Sequence, residues 1–199
     1  SEGGRAGDAP SLTTADIFAV YDQVNGFDIE TASLGAVRGR SPALRELAVM
    51  VLRDHSAVRE MARGIAKAAA VSYRIDTGND GQAAHTTALA TLVAAKNDAF
   101  DATYLAHEIK FHRDAIHAVR TVLIPAATQP ELKAHLTAVL PAFEHHLAAT
   151  LGVAAEIAAR RVLLPALGSP TRPTSAMSLS SSRRSRSSPG SPSVVSRGA

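Results

Sequence analysis

Within "YLAHEIKFHRDAIHAV", Tyr104 to Val119, stand three histidines and a glutamate. Imidazoles and carboxylates can exchange protons, pair with one another or, once deprotonated, ligate a transition metal. Glu108 and His112 are four residues apart, so a helix carries both on one face, able to ligate one ion or two adjacent ions. Thiolate chemistry is excluded, because the chain has no cysteine.

Which of these groups face inward follows from helical periodicity, about 100° per residue. With Glu108 at zero, Leu105, Tyr104, Ala115, Ile116, Val119 and Leu123 fall within about 80° on either side. His112 lies about 40° away and Asp101 about 20°, both inside the apolar stripe. His117 points the opposite way with Lys110, and His107 lies on the flank. In the preceding long helix His55 sits among Leu44, Val51, Val58, Ala62 and Ala66, with Asp54 at the flank. In the last helix His146 and His135 share a face with Val139, Phe143, Val153 and Ile157, while His145 and Glu144 point elsewhere. In the first, Glu30 stands beside Phe27, Leu34 and Val37, near the edge of the stripe.

Each of four helices therefore offers the interior an ionisable group. A buried charge without a partner costs several kcal/mol, so such groups pair, neutralise or bind a cation. Three readings stay open: a metal site, a metal-free polar network, and partial exposure. For the first, the ligand set is Glu30, His55, Glu108, His112 and His146, with Asp54 beside it. Imidazole plus carboxylate suits Zn, Fe, Cu or Ni. The two Glu-x-x-His repeats of di-iron bundles are absent. The pairs at i,i+4 are Glu108/His112 and Glu131/His135, so a mononuclear or looser histidine-rich site is expected. His135 and Asp101 lie toward helix ends, and His85, His107, His117 and His145 are expected at the surface. No catalytic residue and no organic cofactor is indicated.

Four long helices must position these groups. The first starts near Thr13 or Thr14 and runs to about Arg38, with Gly26 loosening its middle. Ser41 and Pro42 open the second as N-cap and first helical residue, and "DTGNDG" breaks the chain after it. A shorter helix, "AAHTTALATLVAA", precedes the third long one, which Asp98 caps and Pro125 stops. "ATQPELKAHL" opens the fourth, which Pro141 is expected to kink. Such a pattern predicts an all-α chain, by default an up-down four-helix bundle over residues 13–167 with one extra short helix. Residues 1–12 read as a flexible leader and 168–199, rich in Ser, Arg and Pro, as a disordered tail.

Composition agrees: 46% of residues are hydrophobic but only 4% aromatic, with no Trp, which suits close helix packing more than a sheet. The net charge is +3, yet five arginines and no acid follow Ser169, leaving the preceding part near −2. The body therefore carries no electrostatic footprint for nucleic acid. No apolar run is long enough to span a membrane. The small, polar start at Ser1 fits a chain whose signal peptide has been removed, or a trimmed one.

The segments "LAVMVLRDHSAVREMARGIAKAAAV", "FDATYLAHEIKFHRDAIHAV" and "LPAFEHHLAATL" resemble the bacterial domain-of-unknown-function family 4142, of the ferritin-like superfamily. Three motifs carry the resemblance: Asp54-His55-Ser56; Tyr104-Leu105 with His112; and Leu140-Pro141 with His146-Leu147. It covers about Thr13 to Ala159 and points to His55, His112 and His146. Glu30 matches a glutamate typical of the family's first helix, whereas Glu108 stands where the family more often has an amide. The resemblance implies a ferritin-like, exported protein, periplasmic or secreted. The expected role is metal binding for sequestration or stress protection rather than turnover. The alternatives are a non-enzymatic structural or interaction bundle and a metal-dependent oxidoreductase.

Overall fold

The computed structural model of the chain describes residues 12–166. The expected tail, and the leader apart from Leu12, lie outside the described residues. Among those residues the chain is all-helical: α1 (Thr14–Arg38), α2 (Pro42–Ala68), α3 (Asp80–Ala94), α4 (Asn97–Ala118) and α5 (Pro130–Ala166). A π-helical segment, Val119–Leu123, and a last turn, Ile124–Ala126, prolong α4.

Local chemistry sets most of the ends. Thr13, in extended conformation, accepts from the Asp16 N–H at 3.1 Å while Asp16 accepts from the Thr13 N–H at 2.9 Å, a reciprocal cap of α1. Ser41 takes the N-cap place of α2 ahead of Pro42, but its side chain makes no capping bond. The buried Asp101 carboxylate of α4 instead holds the residues that lead into α2, accepting the Arg40 and Ser41 N–H groups at 2.9 Å each. Lys96, not Asp98, stands at the N-cap of α4. The helical chain also runs through Pro125, ending one residue later at Ala126. Through the π segment the Ile124 N–H reaches back to the Val119 carbonyl, a wider turn that re-pairs the ladder just before the proline's missing N–H. α5 continues unbroken through Pro141.

The long helices touch in a closed ring, α1 on α2, α2 on α5, α5 on α4 and α4 on α1, and α3 lies against α1 and α4. Two polar devices fix their offsets. Asp22 of α1 takes Arg59 at 2.6 Å, Arg63 at 2.7 Å and the Tyr73 hydroxyl at 2.6 Å. Arg38, at the end of α1, donates to the Leu92, Val93 and Ala95 carbonyls at the C-terminus of α3. Gly35 permits the closest approach, because a Cβ there would lie 2.6 Å from the Tyr104 ring.

The apolar interior has two parts. One gathers Ile17, Phe18, Tyr21, Val58, Leu132, Leu136 and Phe143. The other gathers Ala32, Leu44, Val51, Phe100, Tyr104 and Leu105. Along every long helix the residues between these two sets include polar ones that are also buried: Asn25 and Asp28, His55, Glu108 and His112, and His146.

Candidate functional site

This middle layer draws one or more groups from each long helix, and none is solvated: Asp28, Glu108 and His112 are 0% exposed, His55 and His146 1%. Their partners determine which ring nitrogens carry protons. Asn25 donates its amide N–H to the Tyr21 carbonyl at 2.7 Å. Its Oδ1 therefore accepts from His55 Nδ1, at 2.9 Å. His112 Nδ1 donates to the Glu108 carbonyl one turn back, at 3.1 Å. His146 Nε2 donates to Asp54 Oδ2 at 3.0 Å.

Each ring thus has one N–H tied outward and turns its other nitrogen inward. His112 Nε2 lies 3.3 Å from His146 Nδ1 and 3.5 Å from Asp28 Oδ2. His55 Nε2 lies 2.9 Å from Asp28 Oδ2, yet neither atom has a partner at hydrogen-bonding angles. Glu108 Oε2, 3.5 Å from His112 Nδ1, is likewise without a hydrogen-bond partner. Lone pairs facing each other across about 3 Å repel, and buried polar atoms are nearly always satisfied, so these atoms call for a proton on one ring or a metal cation at the point of convergence.

Burial opposes ionisation of Asp28, and positive charge or an N–H on the facing His55 and His112 rings outweighs it, so the carboxyl is held below the usual range when those rings are protonated. That is the ion-pair arrangement, the alternative to a metal between neutral rings. Burial together with the Asp28 charge pushes Glu108 well above that range. Burial lowers His112 to about 4 and also lowers His146, against the pull of Asp54. At neutral pH the layer therefore holds one carboxylate, one carboxylic acid and imidazoles that are neutral at His112 and His146. Neutral imidazole is the form that ligates.

Two overlapping groups offer three convergent atoms each, His55–His112–His146 and Asp28–Glu108–His112. Bonds of about 2.0–2.1 Å in a tetrahedron put ligand atoms roughly 3.3–3.4 Å apart. The spacings of 2.9, 3.3 and 3.5 Å bracket that value. Outward hydrogen bonds to carboxylate, carbonyl and amide oxygens are also the usual way of fixing a ligating ring.

His55, Glu108, His112 and His146, four of the expected ligands, come together. Glu30 does not: its side chain is 60% exposed and meets His85 Nε2 at 2.8 Å. Asp28, two residues earlier, takes the inward place. His85 is buried rather than at the surface, stacked on Phe27 with 4.1 Å between centroids. His107 is half-buried, His117 and His145 are exposed, and His135 lies 3.2 Å from the Tyr21 hydroxyl, apart from the cluster. The signal for Asp28 and Asn25 was present in the small residues of α1. On a wheel centred on Asp28, Ile17, Tyr21 and Gly35 fall about 20° away and Ala32 about 40°.

The family model of a domain of unknown function, DUF4142, matches residues 2–151. No curated protein and no solved structure matches the chain.

Proposed function

The chain belongs to the DUF4142 family, and we propose that its four long helices form a ferritin-like bundle whose middle layer holds one transition-metal ion. Asp28, His55, His112 and His146 would be the ligands, with Glu108 beside them. The observation that carries this reading is the pair Asp28 Oδ2 and His55 Nε2, buried 2.9 Å apart with no hydrogen bond to satisfy either. Three imidazoles with a carboxylate and no thiolate suit Zn, Cu, Fe or Ni. A bound ion of this kind supplies Lewis acidity or, where redox-active, electron transfer. The chain's own residues exclude water and hold the rings in one tautomer.

Sequestration or stress protection in the bacterial envelope, after export, is the role this reading favours over turnover. The burial itself supports that preference, since the converging residues are 0–1% exposed. A metal-free network is the competing reading, favoured by the raised Glu108, whose retained proton can bridge to Asp28. Metal analysis of protein purified without an affinity tag, beside His112→Ala, tests the proposal. One equivalent in the wild type and little in the variant is expected. No stoichiometric metal in either sample would sink it, and equal metal in both would remove His112 from the ligand set. If metal is present, turnover with peroxide or oxygen distinguishes an oxidoreductase from a store.

A further inference from the structure

The three rings of the polar layer are each held by an outward partner, and those partners lead to different places. Asn25, which holds His55, is buried and bonds in turn to the Tyr21 carbonyl. The partner of His112 is the backbone carbonyl of Glu108, a residue wholly buried. Of the three, only the partner of His146 reaches water. The Asp54 side chain is 30% exposed, with Oδ2 3.0 Å from His146 Nε2.

The same imidazole faces the layer, its Nδ1 3.3 Å from His112 Nε2. Asp54 and His146 thus form a continuous line of polar groups from solvent to the point where the inward atoms converge. Asp54 Oδ1 is held by the Nε of exposed Arg53 at 2.7 Å, a surface ion pair of the kind that opens readily. The cavity between α1, α3 and α4 also touches the layer, at Asn25 and His55. It offers an ion little, because Phe27, Phe111 and Phe143 line it and its Lys110 and Asp114 pair with each other. A cation that sheds water there finds few free ligands in exchange.

We propose that a transition-metal ion enters and leaves the layer along the first line, with Asp54 as the carboxylate on which it lands and His146 as the ring that passes it inward. This rests on the metal reading of the layer. Passage requires Arg53 to release Oδ1 and the His146 ring to turn about its side-chain bonds, while Asp28, His55 and His112 keep their places. Asp54 therefore acts on the rate of uptake. A residue that only orients His146 acts on retention instead, so its loss would weaken affinity about 10–100-fold through faster release alone.

Stopped-flow mixing of the metal-free whole protein with zinc, and release of zinc from the loaded protein to a fluorescent chelator, give the two rates. Asp54→Asn should still bind one equivalent but take it up at least about tenfold more slowly, and Asp54→Glu should regain most of that rate. Glu60→Gln removes the same charge from an exposed position on the same helix and should leave uptake unchanged. Ala88→Leu, which narrows the cavity, should also change neither rate. Arg53→Ala frees Oδ1 and should speed uptake; it carries the test if Asp54→Asn does not fold, and uptake no faster than the wild type then overturns the route. Unchanged uptake in Asp54→Asn overturns it, whether or not release is faster, as does an equal slowing in Glu60→Gln or a slowing in Ala88→Leu. Those results leave the metal reading intact, whereas a wild type that binds no zinc overturns that reading and the route with it.

Discussion

Replacing Asp28 with asparagine keeps the shape of the side chain and removes its charge, and a metal site and a buried ion pair respond to that change differently. If His55 is an imidazolium paired to Asp28 at 2.9 Å, the substitution leaves one charge buried and alone at about 1% exposure. Breaking such a pair costs about 3–5 kcal/mol, or roughly 6–20 °C of melting temperature for a chain of this size. If instead His55 Nε2 is a bare ligand atom, the metal-free wild type holds two opposed lone pairs there. The introduced amide N–H can then donate to that nitrogen, and the metal-free variant should lose less than about 1 kcal/mol or gain slightly. The same variant should lose the metal. Free zinc at a thousandfold excess over its Kd stabilises a binding protein by about 4 kcal/mol, roughly 8–16 °C here. The wild type should show that rise and Asp28→Asn should not. Urea and thermal unfolding with chelator, then with zinc, read all four values. A variant that loses 3–5 kcal/mol in chelator, beside a wild type that zinc does not stabilise, refutes the metal site and leaves the ion pair.

Two further outcomes follow from the packing. Burial lowers His112 from 6.5 to about 4, so the unfolded chain binds the extra proton between those values. His112 should therefore contribute a rise in metal-free stability with pH across that window, by on the order of 3 kcal/mol in all, opposed by the raised Glu108, whose contribution falls with pH. Relative to the wild type, His112→Gln should lose that rise in urea titrations run from pH 4 to 7. At Gly35 a new Cβ would sit 2.6 Å from the Tyr104 ring and 2.9 Å from Ala48 Cβ. Gly35→Ala should cost about 1–3 kcal/mol by overpacking, and an unchanged urea midpoint would show that α1 and α4 are not held so close.

The inward faces of α2, α4 and α5 were legible in the sequence because each concentrates its large aliphatic or aromatic residues on one side, with exceptions such as exposed Val49 and Met61 on α2. His55, His112 and His146 fall at the centre of stripes that bury Val51, Val58, Ile116, Val139 and Phe143. α1 misleads for a physical reason. Leu34 and Val37 suggest an inward face beside Glu30, yet Val37 is 83% exposed. The true face is marked by Ala32 and Gly35, and at Gly35 Ala48 of α2 and Tyr104 of α4 leave no room for a Cβ. Spacing of large side chains locates a core, whereas small ones locate a contact. The burial of His85 was hidden for a related reason, since its contacts, Phe27 and Glu30, lie on another helix and no periodicity within α3 announces them. Asp101 reads as an inward acid, but its role in holding the start of α2 depends on α4 crossing that end.

The polar layer needs an explanation because the helices do not need it to associate. Apolar clusters lie on both sides of it. Buried polar groups can be tolerated for the alignment they impose, but alignment is already fixed elsewhere. Asp22 with Arg59 and Arg63 sets α1 against α2, Asp101 ties α4 to the start of α2, and Gly35 against Tyr104 sets the approach of α1 to α4. Aliphatic residues at 28, 55, 108, 112 and 146 would join the two cores without any desolvation cost. Instead the chain carries three rings whose N–H groups are each tied outward, turning the other nitrogens of His55 and His112 toward Asp28 and that of His146 toward His112. Outward ties of that kind do nothing for alignment that a single buried amide would not do. They are what fixes the direction of a ring nitrogen, which is the arrangement the proposed metal site calls for.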